Sequence, residues 1–180
     1  RNAASKLHLT GAESQDLYPP VLLRQRVLEN LEFSSRVETN FIQNSRYQAG
    51  ARTEPELQAA HRIFYNNIRS TDYTVCVRGS GNFSVRLYET LAMGRIPVLV
   101  DTDCLLPYAK DPRWKQCCVY LYQDQVDQIA EIVADYHNKL TSDEFVEIQL
   151  QARKFWEERL CLEGFFMHFP EHFKVDGESR

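Results

Sequence analysis

The chain has 180 residues, 43% of them hydrophobic, and a formal net charge of −4, with a pI near 5.8. That suffices to bury one sizeable core, and the acidic balance argues against a bulk nucleic-acid binder, which needs clustered basic residues. No apolar run approaches the roughly 20 residues that cross a bilayer, so no membrane span is expected.

The chain opens on Arg rather than Met, without an apolar leader, which predicts a processed or truncated chain. Residues 1–20 are polar and suggest no element. Val21 to Leu31 reads as a helix with Pro20 in its first turn and Val21, Leu22, Leu28 and Leu31 as its buried face. Val37 to Ile42 is expected as a strand. Thr53 to Ser70 is a helix in which Thr53 and Glu56 form a capping box and Leu57, Ala60, Phe64 and Ile68 form the stripe.

Tyr73 to Val77 is a short run of strand length, rich in aromatic and β-branched residues. The loop Arg78-Gly79-Ser80-Gly81-Asn82-Phe83-Ser84 follows it. A helix then carries Val85, Leu87, Leu91 and Ala92, and stops at Gly94, where a left-handed residue is wanted. Ile96 to Val100 is a second strand, completing a βαβ unit. Cys117 to Tyr122 is a third. Asp124 to Leu140 is a periodic helix through Val126, Ile129, Ile132, Val133 and Tyr136. Thr141 or Ser142 caps a last helix that reaches about Leu160, and Leu162 to Phe173 is an aromatic tail. Alternating helices and apolar strands predict an α/β fold, a Rossmann-like three-layer sandwich with a parallel sheet. Residues 1–180 form one domain, with a core at about 21–140 and a C-terminal helix and tail at 141–180. Three strands are few for a free-standing doubly wound domain.

Five cysteines form no C-x-x-C or zinc spacing. Cys117 and Cys118, in a strand, would face opposite ways. The sequon Asn82-Phe83-Ser84 would place a glycan on the loop read here as ligand-binding. Both features favour the cytoplasm, with the Golgi lumen as the alternative.

The glycine loop joins the end of a parallel strand to a helix N-terminus, where anions bind. Gly79 and Gly81 let backbone approach a ligand. Ser84 caps the helix or offers its hydroxyl to a phosphate, and Arg78 and Arg86 supply fork-shaped donors. Glu89, further into the helix, suits vicinal ribose hydroxyls. The bland alternatives are a turn, a cap and a surface ion pair between Arg86 and Glu89. The turn lacks both G-x-G-x-x-G and a P-loop G-K-[ST]. His168 and His172 flank Pro170 without an HExxH pattern, so no metal is expected there.

The string from Val75-Cys76-Val77-Arg78-Gly79 through Ser84-Val85-Arg86-Leu87-Tyr88-Glu89 to Gly94-Arg95-Ile96-Pro97-Val98 resembles the exostosin-type glycosyltransferases. Their pattern is an apolar strand, R-G, a loop, S-x-R-x-x-E, a small helix and G-x-I-P-V. The similarity extends more weakly from about Leu22 to Phe166. Arg95 stands where animal exostosins usually carry cysteine, which suggests a microbial, algal or viral relative. Asp111-Pro112-Arg113-Trp114 keeps only the tryptophan of the family's apolar-Asp-Trp triplet.

The resemblance implies the C-terminal, donor-binding lobe of a two-lobed GT-B enzyme, with its N-terminal lobe absent here or supplied by a partner chain. It implies transfer of a sugar from a nucleotide sugar, usually a UDP-sugar, to a glycan or other hydroxyl acceptor, with inversion. By position, Glu89 would hold the ribose, and Arg78, Ser84 and Arg86 the diphosphate. The expected rim is Asn82 with Asp101-Thr102-Asp103, without metal or other cofactor. The general base would come from the other lobe. The rival expectation is a degenerate, non-catalytic lobe that acts as an interaction module through its aromatic tail. A phosphosugar isomerase also fits the α/β pattern but has no nameable acid–base pair.

Overall fold

In a computed structural model, which describes residues 20–44 and 47–173, a three-stranded parallel sheet forms the centre. Strands β1 (Tyr73–Cys76), β2 (Ile96–Asp101) and β3 (Val119–Tyr122) lie side by side in that order. Val98, central in β2, is level with Val75 on one side and Val119 on the other. Side chains alternate across the sheet. Ile96, Val98, Val100, Val119 and Leu121 enter one core, while Cys76, Leu99 and Cys118 enter the other. Five successive residues of β2 are buried, as a central parallel strand covered on both faces requires.

The helices supply those covers. On the first face, α1 (Pro20–Glu32) packs Leu23, Val27 and Leu31 with Val126, Ile129 and Val133. Ile129 and Val133 belong to the helix Ile129–Asn138. The helix α2 (Glu54–Arg69) precedes β1, and α3 (Val85–Ala92) links β1 to β2. The short α4 (Arg113–Gln116) lies between β2 and β3. Two successive right-handed crossovers in one direction put both linking helices on one face. Leu87 and Leu91 of α3 and Trp114 of α4 accordingly share the second core. After β3 the chain crosses to the first face as α5, the helix Ile129–Asn138, and returns as α6 (Ser142–Phe155), whose Ala152 and Phe155 complete the second core. This is the expected α/β sandwich with a parallel sheet.

Local signals explain the ends. Glu56 accepts from the Thr53 N–H at 3.0 Å, as the expected capping box requires, and at the last helix the cap is Thr141, with Glu144 accepting from its N–H at 2.8 Å in a second box. Gly94 adopts φ +60° while its N–H and that of Arg95 return to Leu91 and Thr90 carbonyls at 3.0 Å. That closes α3 and turns the chain into β2.

Several expectations fail. Val37 to Ile42 is no strand. Among the described residues no neighbouring strand pairs with it, and the Asn40 carbonyl accepts instead from the Asn67 side chain at 2.8 Å. On α1, Val21 and Leu22 are 71% and 61% exposed, and the buried stripe is Leu23, Val27 and Leu31. The run Val-Leu-Leu left the helical phase ambiguous. Gln123–Gln128 is a 3₁₀ turn rather than the start of α5. The final helix ends at Phe155 and continues as a π-helical turn, Trp156–Leu160, closed by the Cys161 N–H on the Trp156 carbonyl at 2.7 Å. The tail is also helical, as α7 (Leu162–His168) and a 3₁₀ turn, Phe169–Phe173. Cys117 and Cys118 share one core instead of opposing faces, because Cys117 ends α4 in a helical conformation before β3 begins. Residues 1–19, read as polar, and the last residues of the tail lie outside the described segments.

Candidate functional site

The C-terminal edge of the sheet carries two loops that one side chain fastens together. The first, 77–84, leaves β1 and is closed by the Gly79 N–H on the Phe83 carbonyl at 3.2 Å. The second follows β2. Asn82 reaches across, donating from Nδ2 to the carbonyls of Thr102 at 3.0 Å and Asp103 at 3.1 Å. Its Oδ1 accepts from the Thr102 hydroxyl at 2.7 Å. Asp103 takes a left-handed backbone, φ 57°, that asparagine and aspartate tolerate best after glycine. The amide nitrogen of the sequon is thus engaged in the fold.

Between the loops lies a narrow cleft. Arg78 and Ser84 line it with Tyr88, Thr102 and Cys104, over an apolar floor of Leu87, Leu99 and Val100. Phe83 and Leu105 stand exposed at its mouth. Ser84 holds the N-cap position of α3 in an extended conformation, and its hydroxyl makes no capping bond. The N–H groups of the first turn and the Ser84 hydroxyl therefore converge where negative charge is favoured. Space around Gly79 is open, since an added Cβ would meet nothing within 4 Å. At Gly81 it would meet the Phe83 ring at 2.5 Å.

A second group of charges lies beside the cleft. Arg86 stacks over the Phe64 ring of α2 at 5.0 Å. Burial pushes the Glu89 carboxyl above its ordinary range, against the charges of Arg86 and His61, which pull it down. From α1, the Arg24 Nη2 donates to the Arg78 carbonyl at 3.5 Å. Burial and the nearby charge of Arg86 lower the Arg24 pKa. Sequence reading missed Arg24, because an arginine on a polar helix face looks like any solvated cation; its i, i+3 neighbour Val27 is the only hint of a packed surface.

Of the residues singled out by sequence, Arg78, Ser84 and Thr102 face the cleft. Gly79, Gly81 and Asn82 shape its first loop. Arg86 and Glu89 lie beside it, toward α2. Asp101 is engaged in the fold: its carboxylate accepts from the Tyr120 hydroxyl at 2.5 Å and from the Cys104 N–H at 3.3 Å. Asp103 is exposed and contributes its carbonyl to Asn82. Among the described residues no group of three or more His, Cys, Asp and Glu is placed to hold a metal ion. Trp114 braces the second loop, donating from Nε1 to the Pro107 carbonyl at 3.0 Å while its ring meets Phe155 edge-on at 4.9 Å.

The chain is similar to known proteins. The profile of the Exostosin GT47 domain matches residues 19–136. A probable glucuronosyltransferase of Oryza sativa subsp. japonica is 29% identical over 72 residues, which are 40% of this chain and 17% of that protein. A probable beta-1,4-xylosyltransferase of Arabidopsis thaliana is 27% identical over 70 residues, 39% of this chain and 17% of that protein. Exostosin-2 of Homo sapiens is 25% identical over 99 residues, 54% of this chain and 13% of that protein. The aligned stretches thus span about a sixth of the plant relatives' length. No solved structure matches the chain significantly.

Proposed function

The chain belongs to the Exostosin GT47 family, and on that premise we propose that it is the donor-binding lobe of a glycosyltransferase that uses a nucleotide-diphosphate sugar, with UDP as the carrier. The observation that carries the reading is the Asn82 clamp, which sets Arg78, Ser84 and the first turn of α3 around one cleft at the C-terminal edge of a parallel sheet. Ligands of open α/β sheets bind at that edge.

In this reading the diphosphate lies over Gly79 against the N-terminus of α3, with Ser84, Arg78 and Arg86 as its donors. Glu89 accepts from the ribose hydroxyls, and the Asn82–Thr102 rim holds the sugar end. During transfer the acceptor hydroxyl oxygen bonds to the anomeric carbon while the bond from that carbon to the β-phosphate oxygen breaks. Attack from the far face inverts the centre. Negative charge grows on the departing diphosphate, and prearranged donors stabilise it most when charge is greatest. The acceptor proton passes to a general base. None of the described residues lining the cleft is a carboxylate or a histidine, so the base is assigned to another lobe, together with most of the acceptor site. The reading invokes no metal, because arginines and the helix terminus supply the countercharge.

Calorimetric titration with UDP tests this: wild type binds, and Glu89→Gln and Arg86→Ala bind more weakly. A second reading, that of an interaction module, is favoured by the exposed Leu162, Phe166, Met167 and Phe173 at the C-terminal end. It requires self-association through that end, and a strictly monomeric, folded species in light scattering contradicts it.

A further inference from the structure

Three arginines on or just past α1, and Arg86 on α3, have different surroundings. On α1, Arg26 pairs with Asp127, and just past α1, Arg36 pairs with Asp135 at 2.8 Å. Arg24, on α1, makes no ion pair among the described residues; it donates a long hydrogen bond, 3.5 Å, to the Arg78 main-chain carbonyl. The charge close to it is another cation, Arg86. Arg86 itself makes no ion pair within 4 Å among the described residues; the ring of Phe64 lies beneath it, and Glu89 lies near. Two guanidiniums so placed repel each other. A fold that keeps like charges together gains when an anion lies between them. The carbonyl to which Arg24 is tied belongs to Arg78, the residue at which the glycine loop begins. Arg24 thus reaches from α1 to the main chain at the start of that loop.

We propose that Arg24 is a further donor-site residue, a guanidinium that binds the diphosphate together with Arg86. The inference rests on the donor-lobe reading and adds to it a contact from α1, outside the βαβ unit. One guanidinium hydrogen-bonded to phosphate, partly exposed to water, corresponds to about a tenfold effect on affinity. Because it contacts phosphate alone, the effect is absent for uridine, which lacks phosphate.

The test is titration of the full chain with UDP, inorganic pyrophosphate and uridine, for wild type, Arg24→Ala, Arg24→Met, Arg24→Lys and Arg26→Ala. Thermal unfolding reports whether each variant is folded. Arg24→Met keeps the aliphatic stem in case Arg24→Ala does not fold. The expected result is about tenfold weaker UDP and pyrophosphate binding for Arg24→Ala and Arg24→Met, partial recovery in Arg24→Lys, and unchanged uridine binding. The control Arg26→Ala matches wild type. Wild-type UDP affinity in both Arg24→Ala and Arg24→Met overturns the inference and leaves the donor-lobe reading standing. Equal losses for uridine and UDP also overturn it, since they show a structural role. A wild type that binds neither UDP nor pyrophosphate overturns both.

Discussion

Asn82 grips Thr102 at two points: its Nδ2 donates to the Thr102 carbonyl at 3.0 Å, and its Oδ1 accepts from the Thr102 hydroxyl at 2.7 Å. This pairing across 20 residues of chain makes one cleft out of two loops. Asn82→Ala removes it, along with the bond to Asp103. At about 0.5–1.5 kcal/mol net per hydrogen bond, partly exposed, the expected loss is about 1–3 kcal/mol in urea unfolding. UDP affinity should fall as well, because the loops lose their common support. Thr102→Val, which keeps the carbonyl, should cost less than Asn82→Ala.

Two glycines should respond in opposite ways. At Gly164 in α7 an added Cβ would lie 2.6 Å from the Glu157 carbonyl oxygen and 2.7 Å from the Glu158 carbonyl. Backbone cannot yield as a side chain does, so Gly164→Ala should cost about 1–3 kcal/mol by prying α7 off the π-helical turn. At Gly79 the same methyl meets nothing. Gly79→Ala should leave unfolding unchanged within about 0.5 kcal/mol and yet weaken UDP binding, since it fills the space assigned to the diphosphate. Unfolding curves and UDP titrations of both variants check the contrast.

The pair Asp111–Arg113 should shape the acid limb of stability. Their carboxylate and guanidinium meet at 2.6 Å with side chains only 15% and 21% exposed, and Arg113 also reaches Glu158 at 2.8 Å. Hydrogen bonding to Arg113 holds the Asp111 carboxyl below its ordinary 3.8. A carboxyl whose pKa is lower when folded stabilises above its unfolded pKa and loses that stabilisation as pH falls through the folded one. The contribution is therefore full above about pH 4 to 5 and lost below. Asp111→Asn should lower stability by about 1–2 kcal/mol at pH 7 and converge toward wild type near pH 2. A gap that persists at pH 2 contradicts this.

How much of this was readable from sequence depends on the range of the interactions. The βαβ unit was legible because its signals are local: short apolar runs and a glycine where α3 must end left-handed. Ser84 and Arg78 followed from their place in that unit. The Asn82 clamp was not legible, as nothing within four residues of Asn82 reveals an acceptor 20 residues on. Nor was the placement of Arg24, which is fixed by how α1 packs on the sheet. Val37 to Ile42 misled because a strand is defined by a neighbour as well as by its own residues. Its Val37 and Phe41 do pack against the core, without a ladder.

Thiol chemistry offers a probe of the cleft that needs no activity. Burial pushes the Cys76 thiol up to about 12 and Cys117 up to about 11, and Cys118 is raised as well. These three should resist alkylation at pH 8 until the protein unfolds. Cys104 and Cys161 are partly exposed and should react first. Cys104 lines the cleft, so UDP should slow its labelling while leaving Cys161 unaffected. Peptide mass mapping after timed alkylation distinguishes the two.

The central claim, that this cleft binds a nucleotide diphosphate, is tested most directly by calorimetric titration of UDP into wild type, Arg86→Ala and Glu89→Gln. The predicted result is saturable one-to-one binding by wild type, weaker binding by both variants, and a larger loss of UDP than of uridine affinity in Arg86→Ala. No binding by wild type, or binding that neither substitution alters, would contradict it.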